Sequence, residues 1–376
     1  MLFNPSHSVV HLTMRRDKQV LSWGSGVIYL RNERYYIATA WHNLTGRHSQ
    51  TLKPISKKGG IPNNVVATIA LRLQGATYDG AVRTSFTIPI EGADDTSYLV
   101  HPVGWPRTDV AAIPLDPDKS LVSEMHLADG REIMHQSRMR QPGGGGAVST
   151  DVQPIQSCAG TFGRIGALSD ELIDAGDDLF VLGYPRGISD YSAEPLWKRA
   201  TVASDPRSGW NRQPQFIIDC ASREGMSGAP VIAFSKSGEV QVGGMRHAGN
   251  SPSTALHGIY VGRINNPEAT AEDKLFEAQL GTVWKRAVID EIIDAEVLGL
   301  HSSEIGASEE QINEAIKAVW PQVDGYFQKV LDHQQFGWAM VHAALKHLNG
   351  NGNPNDVLNL VMQYARNLRV ETKPAQ

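Results

Sequence analysis

Cysteine is almost missing from this chain: 376 residues contain two, Cys158 and Cys220. Two thiols cannot build a disulfide framework, so the pair is expected to be reduced and buried. There is no excess of positive charge either. The formal net charge is -5, which gives no pull toward nucleic acid or an anionic membrane. No uninterrupted apolar run approaches the ~20 residues of a membrane span. The opening "MLFNPSHSVVHLTMRRDKQV" lacks the basic start and apolar stretch of a secretory signal. Beginning at Met1, the chain is therefore expected to be a bacterial, cytoplasmic protein. Metal-ligand spacing is missing as well. His7 and His11 are four apart, but on the strand expected there they sit about 13 Å apart and read as surface residues. His342 and His347 have no acidic or cysteine partner at ligand spacing. The run "QPGGGG" is not followed by Lys-Ser/Thr and is no phosphate loop. No cofactor and no metal are expected.

What is present is the composition of a soluble globular protein, 41% hydrophobic and 20% charged, with length enough for two or three domains. Residues 1–265 carry short runs rich in β-branched and aromatic residues: "SVVHLTM", "SGVIYL", "RYYIATA", "VVATIALRL", "DVAAIPL", "LFVLGYP", "QFIIDC", "APVIAF" and "VQVGGM". Turn signals such as "RNER" and "SKSGE" separate them. This is the pattern of antiparallel barrels or sandwiches. "QPGGGGAVST" (141–150) reads as a flexible connector or a mobile loop beside a site.

From about Pro267 the period changes. "LGTVWKRAVIDEIIDA" sets Trp284, Val288 and Ile292 at helical spacing. "SEEQ" (308–311) is a capping box, and Asn353-Pro354 opens a helix with Val357, Val361, Ala365 and Leu368 on one face. A short amphipathic tail must bury that stripe against something, so residues 302–376 are expected to form a small helical module, either for docking or self-association or packed on the second barrel.

One segment asks for chemistry. In "DCASREGMSGAPV", Ser227 sits between glycines at 225 and 228, directly before an apolar run. Buried strands avoid glycine, and a surface loop does not need this arrangement. A serine hydroxyl needs a base within hydrogen-bond reach and a third group to orient that base. "RYYIATAWHNL" offers His42 where a strand gives way to a turn. "RTDVAAIPL" offers Asp109 at the start of an apolar strand, where a carboxylate can be half-buried and aimed. The chain order His42, Asp109, Ser227 and the segment G-M-S-G-A exclude an α/β-hydrolase, which runs serine, acid, histidine around G-x-S-x-G.

With those residues in place, the sequence resembles the trypsin-like serine peptidases of chymotrypsin fold, bacterial cytosolic members in particular. "GSGVIYL…YYIATAWHN", "DVAAIPL", "GMSGAPV" and "GIYVGRI" carry the likeness, with "DDLFVLGYPRG" and "LGTVWKRAVIDEII" adding to it, over roughly residues 8–295. The resemblance implies a mainly β chain of two antiparallel barrels. Residues 1–140 would form the first, with His42 and Asp109. Residues 141–295 would form the second, with Ser227 and a closing helix. It implies a serine endopeptidase acting on protein or peptide substrates through an acyl-enzyme. The backbone N–H groups of Gly225 and Ser227 would form the oxyanion hole. Met226 stands where secreted members often carry the aspartate that pairs with a newly cut N-terminus, so maturation by that route is not expected. The pocket floor falls six residues before the serine, at Ala221, which cannot pair with Lys or Arg. Gly258 would close the back, and "VGGMRHAG" would bring Arg246 or His247 to the opposite wall. A buried Arg246 would favour Asp or Glu in the substrate, and His247 a polar or apolar residue; the alternative is that both point to solvent. The alternatives are a silent peptidase-fold binding or scaffold protein, and an esterase using the same chemistry.

Overall fold

The computed structural model describes residues 4–56, 60–73, 81–92, 96–104, 107–116, 120–126, 132–138, 150–164, 173–189, 194–211, 213–242, 245–264, 279–302, 305, 309–327, 333–348 and 354–371. The proposed connector 141–149, Ser308 of the capping box and Asn353 lie outside them. The chain divides into two compact units, one of residues 1–45 and 60–299, the other of residues 46–59 and 300–376.

In the first unit the strand-rich runs form two β layers. β1 (Val9–Arg16), β2 (Gln19–Arg31), β3 (Arg34–Thr39), β4 (Asn64–Leu73), β5 (Ala81–Pro89), β6 (Leu99–Val100), β7 (Ala111–Pro114), β8 (Ser120–His126) and β9 (Glu132–Arg138) make one antiparallel sheet. Its order is β6-β7-β3-β2-β1-β4-β5-β8-β9, and β10 (Thr150–Val152) is added beside β4. The second layer is a closed antiparallel barrel. It is formed by β11 (Asp178–Gly183), β12 (Leu196–Val202), β13 (Gln215–Asp219), β14 (Ala229–Ser235), β17 (Ser253–Arg263) and β18 (Leu280–Lys285). A separate hairpin pairs β15 (Val240–Val242) with β16 (Met245–His247). The fold is mainly β, as expected, with one correction. Only the second layer closes, whereas among the described residues the first is a sheet whose β8–β9 hairpin extends it.

Alternation dictates the packing. Val9, Val27, Tyr29, Tyr36 and Ala38 of the sheet share a buried cluster with Leu182, Ile232, Ile259 and Trp284 of the barrel. The inside of the barrel holds a second cluster that includes Val181, Phe216, Met226, Val231 and Tyr260.

Two readings need changing. Trp284 does not belong to a helix: Leu280–Lys285 is the strand that closes the barrel between β13 and β17. The helix starts only at Arg286 and runs to Ala295. It buries Val288, Ile289, Ile292 and Ile293, so the helical spacing from Val288 onward is real, and Trp284 fits it by coincidence. His11 is not on the surface. It is 7% exposed and its ring lies 4.7 Å from that of Tyr184. Cys158 and Cys220 are unpaired and buried. Burial pushes the Cys158 thiol up to about 11 and the Cys220 thiol upward too, which removes nucleophilic character from both.

In the second unit, helices Glu309–Phe327, His333–His347 and Pro354–Glu371 pack together. Ile312, Ile316, Val319, Met340, Val341 and Ala344 meet Val357 and Val361 in one cluster. The stripe led by Val357 and Val361 is thus covered by its own neighbouring helices. The need for an outside partner, which motivated a docking role, disappears at those positions. Among the described residues, no helix is long and apolar enough to cross a membrane.

Candidate active site

Strand register brings His42 and Asp109 together. β3 pairs with β7 so that Thr39 faces Ala111 and Ala38 faces Ala112. The antiparallel continuation sets the residues after Thr39 against those before Ala111. The chain then turns into a short helix, α1 (Trp41–Thr45), whose first residue, Trp41, is fully buried. The Asp109 carboxylate accepts two hydrogen bonds from His42. Oδ1 takes the backbone N–H at 2.9 Å, and Oδ2 faces ring Nδ1 at 2.8 Å. Both side chains are largely buried, at 16% and 12% exposure. Because an ionised carboxylate only accepts, Nδ1 carries the hydrogen and the Nε2 lone pair is left free.

Burial opposes charging the His42 ring. The negative charge of Asp109 and its hydrogen bond outweigh that, and the pKa of His42 lies above its ordinary value. The sign has two consequences. A raised histidine pKa stabilises the fold in acid, and that contribution is lost as pH rises through the folded-state value. A histidine acting as a general base must be neutral, so any activity that uses His42 in that role has the opposite slope. We predict that kcat/KM rises with pH along an acid limb whose midpoint lies above ~6.5, the unperturbed value. A midpoint below that, measured on an ester substrate, would contradict the geometry.

Ser227 arrives from the barrel. Its carbonyl accepts from Ser25 N–H at 2.8 Å and from Asn43 Nδ2 at 2.8 Å, so the residue next to His42 holds the backbone of Ser227. Asn43 also donates to Thr39 Oγ1, and Thr39 Oγ1 donates to the Ser25 carbonyl. Sequence reasoning missed this Ser25–Thr39–Asn43 bracket. Asn43, directly after His42, was its one visible sign. The Ser227 hydroxyl donates to the Val261 carbonyl at 3.0 Å.

Gly225 has φ +88 and Gly228 φ +90, both in the region that L side chains avoid. A Cβ on Gly225 would run into the Tyr184 carbonyl and sit 2.9 Å from Arg186 N. The Gly225 carbonyl is turned away and accepts from Ser25 Oγ at 2.8 Å. Among the described residues, no acceptor is hydrogen-bonded to the N–H of Gly225 or of Ser227. Two undonated amides, at Gly225 and Ser227, are donors of the kind a developing oxyanion needs.

The pocket residues fare differently. Ala221 is exposed on the segment leading to Ser227. Gly258 lies in the barrel wall, paired with Val231 and Lys285, and serves the close approach of β17 to β18 rather than an open face. Arg246 and His247 belong to the outlying β15–β16 hairpin. Arg246 is 76% exposed and paired with Glu239, so it is not the buried guanidinium that an acidic-substrate pocket requires. His247 is half-buried there. Met226 is fully buried in the barrel. No group of three His, Cys, Asp or Glu side chains that could hold a metal ion occurs among the described residues.

No protein-family model and no curated protein sequence matches the chain. Among solved structures, the chain is similar to a serine endoprotease from Yersinia pestis (TM-score 0.35, 12% identity, 77% of this chain and 63% of that one). It is also similar to the thermostable serine protease AL20 from an extremophilic microorganism (0.36, 15%, 77% and 97%) and to protease Anisep from Arthrobacter nicotinovorans (0.35, 15%, 77% and 95%). The matched region spans under two thirds of the Yersinia chain.

Proposed function

We propose that this protein is a serine endopeptidase that cleaves protein or peptide substrates through an acyl-enzyme. The observation that carries the reading is the buried Asp109–His42 pair set beside a serine with two undonated amides around it. Ser227 attacks the substrate carbonyl, and His42 Nε2 takes its proton and returns it to the leaving amine. Asp109 holds the ring tautomer and stabilises the imidazolium. The Gly225 and Ser227 amides receive the oxyanion. For the first step the hydroxyl must leave the Val261 carbonyl for His42 Nε2.

Register also supports an extended substrate. β14 pairs with β17 as far as Ala229 opposite Tyr260. Beyond Tyr260, the β14-side edge of Val261–Arg263 is left beside Ser227, where a peptide can add as a strand. No cofactor enters this scheme, and a cytoplasmic location is part of the same proposal.

The test is labelling by a fluorophosphonate probe. Wild type should label, and Ser227→Ala and His42→Ala should not. Equal labelling of Ser227→Ala would sink the assignment. An unlabelled but folded wild type would favour a silent binding protein of the same fold, and turnover of acyl esters without turnover of peptides would favour an esterase.

A further inference from the structure

The end of β17 carries the feature that the proposed chemistry leaves unused. Val261 is bound to the Ser227 hydroxyl, and two residues further on is Arg263. Its Nη2 donates to the carbonyl of Ser222, five residues before Ser227. Arg223 Nη1 donates to the same carbonyl at 2.8 Å. Ser222 is itself buried and tethered: it is 1% exposed, and its hydroxyl bonds to Tyr260 Oη at 2.5 Å. Two guanidinium groups therefore converge on one backbone oxygen, between the segment leading to Ser227 and the strand beside it.

Among the described residues, no carboxylate lies within ion-pair distance of Arg223 or Arg263, although Asp219 and Glu224 are close in sequence. Elsewhere in the same unit Arg199 pairs with Asp178, Arg207 with Asp174 and, on the outlying hairpin, Arg246 with Glu239. Arg263 is half-buried, and an unpaired guanidinium out of full solvent is costly unless a partner arrives. One N–H is spent on Ser222, and a guanidinium has five. Beside it the strand is open at one position: a Cβ at Gly262 would meet nothing within 4 Å.

We infer that Arg263, assisted by Arg223, selects substrates with aspartate or glutamate immediately before the scissile bond. This rests on the peptidase reading, because that residue is the one whose carbonyl enters the Gly225–Ser227 amides. Its side chain then leaves toward the space between Ser222 and Val261–Arg263. A carboxylate there takes the free N–H groups of Arg263 in charge-assisted hydrogen bonds. Lysine or arginine meets two positive charges instead.

The experiment compares peptide substrates that differ only at that residue: Glu, Gln and Lys. Wild type should prefer Glu to Gln by about 10-fold or more in kcat/KM, the scale of a hydrogen bond to a charged group, with Lys poorest. Arg263→Gln should bring Glu and Gln within about 3-fold of each other, and Arg263→Lys should restore part of the preference. Arg246→Gln, on the exposed hairpin, should leave the ranking unchanged. A wild type that labels with fluorophosphonate yet cleaves Gln as well as Glu overturns this inference and leaves the peptidase reading standing. A wild type that does not label overturns both. A product-like peptide ending in Glu should protect wild type from labelling at about one tenth the concentration needed for its Gln counterpart. Equal protection counts against Arg263 even where turnover is slow.

Discussion

Asparagine in place of Asp109 is expected to lower kcat by about 10⁴ at neutral pH, roughly 5.5 kcal/mol of transition-state stabilisation, with the fold retained. The cause is a donor count. Asp109 receives two N–H groups from one residue, the backbone N–H of His42 on Oδ1 and ring Nδ1 on Oδ2. A carboxylate has acceptors for both, and an amide has one oxygen and one NH₂. If the Asn oxygen stays with the backbone N–H, its NH₂ faces Nδ1. The ring then takes the other tautomer, Nε2 carries the hydrogen, and His42 cannot accept the Ser227 proton. If the amide flips, NH₂ meets the backbone N–H, two donors face each other, and the loop at His42 shifts. The first orientation removes the base, and the second displaces it. The acid limb of any residual activity should also move to lower pH, because the charge that raises the pKa of His42 is gone. Steady-state kinetics on an activated ester across pH 5 to 9 checks both. A kcat within ~10-fold of wild type would end the role assigned to Asp109.

The parts of this site that were legible in the sequence are those whose reasons are local. A glycine two residues before a serine and another directly after it report backbone angles that the segment itself needs, and both glycines have positive φ. Asp109 and His42 could be named because each lies at the end of an apolar strand, and β3 and β7 are neighbours. What stayed hidden depends on pairings between distant segments. Arg246 and Arg263 look equally plausible as pocket cations in a string of letters. The bond between Ser227 and Val261, 34 residues apart, puts β17 beside Ser227, while Arg246 turns into a hairpin with Glu239. Trp284 fits a helical period as well as a strand, and only closure of the barrel through β13 and β17 decides between them. The same limit applies to the tail. Its apolar stripe was visible, but the two helices that cover it are found only by packing.

Alanine in place of Gly228 should cost more stability than any other glycine-to-alanine change in the Ser227 loop. Its cause lies in the joint between sheet and barrel. The backbone of Gly228 has φ +90 and donates to the Tyr260 carbonyl at 2.7 Å, so it cannot rotate freely. A Cβ there would strike the Ser25 carbonyl oxygen and Thr39 Oγ1. Those two atoms are bonded to each other at 2.7 Å and belong to β2 and β3, whose pairing sets Gly26 against Thr39. The methyl group can be admitted only by moving the ends of two sheet strands away from the barrel. The positive φ costs about 1–3 kcal/mol for a non-glycine residue, and overpacking adds about 1–3 kcal/mol. A loss of roughly 3 kcal/mol or more is therefore expected in urea unfolding. Two controls separate these causes. At Gly176, with φ +98 and nothing within 4 Å of the added Cβ, alanine should show the backbone cost alone. At Gly262, with open space and no positive φ, it should be nearly neutral. Because the Ser25–Thr39–Asn43 bracket also holds the Ser227 carbonyl, Gly228→Ala should reduce probe labelling even at temperatures where it remains folded. A folded variant with wild-type labelling would mean that the bracket does not position the nucleophile.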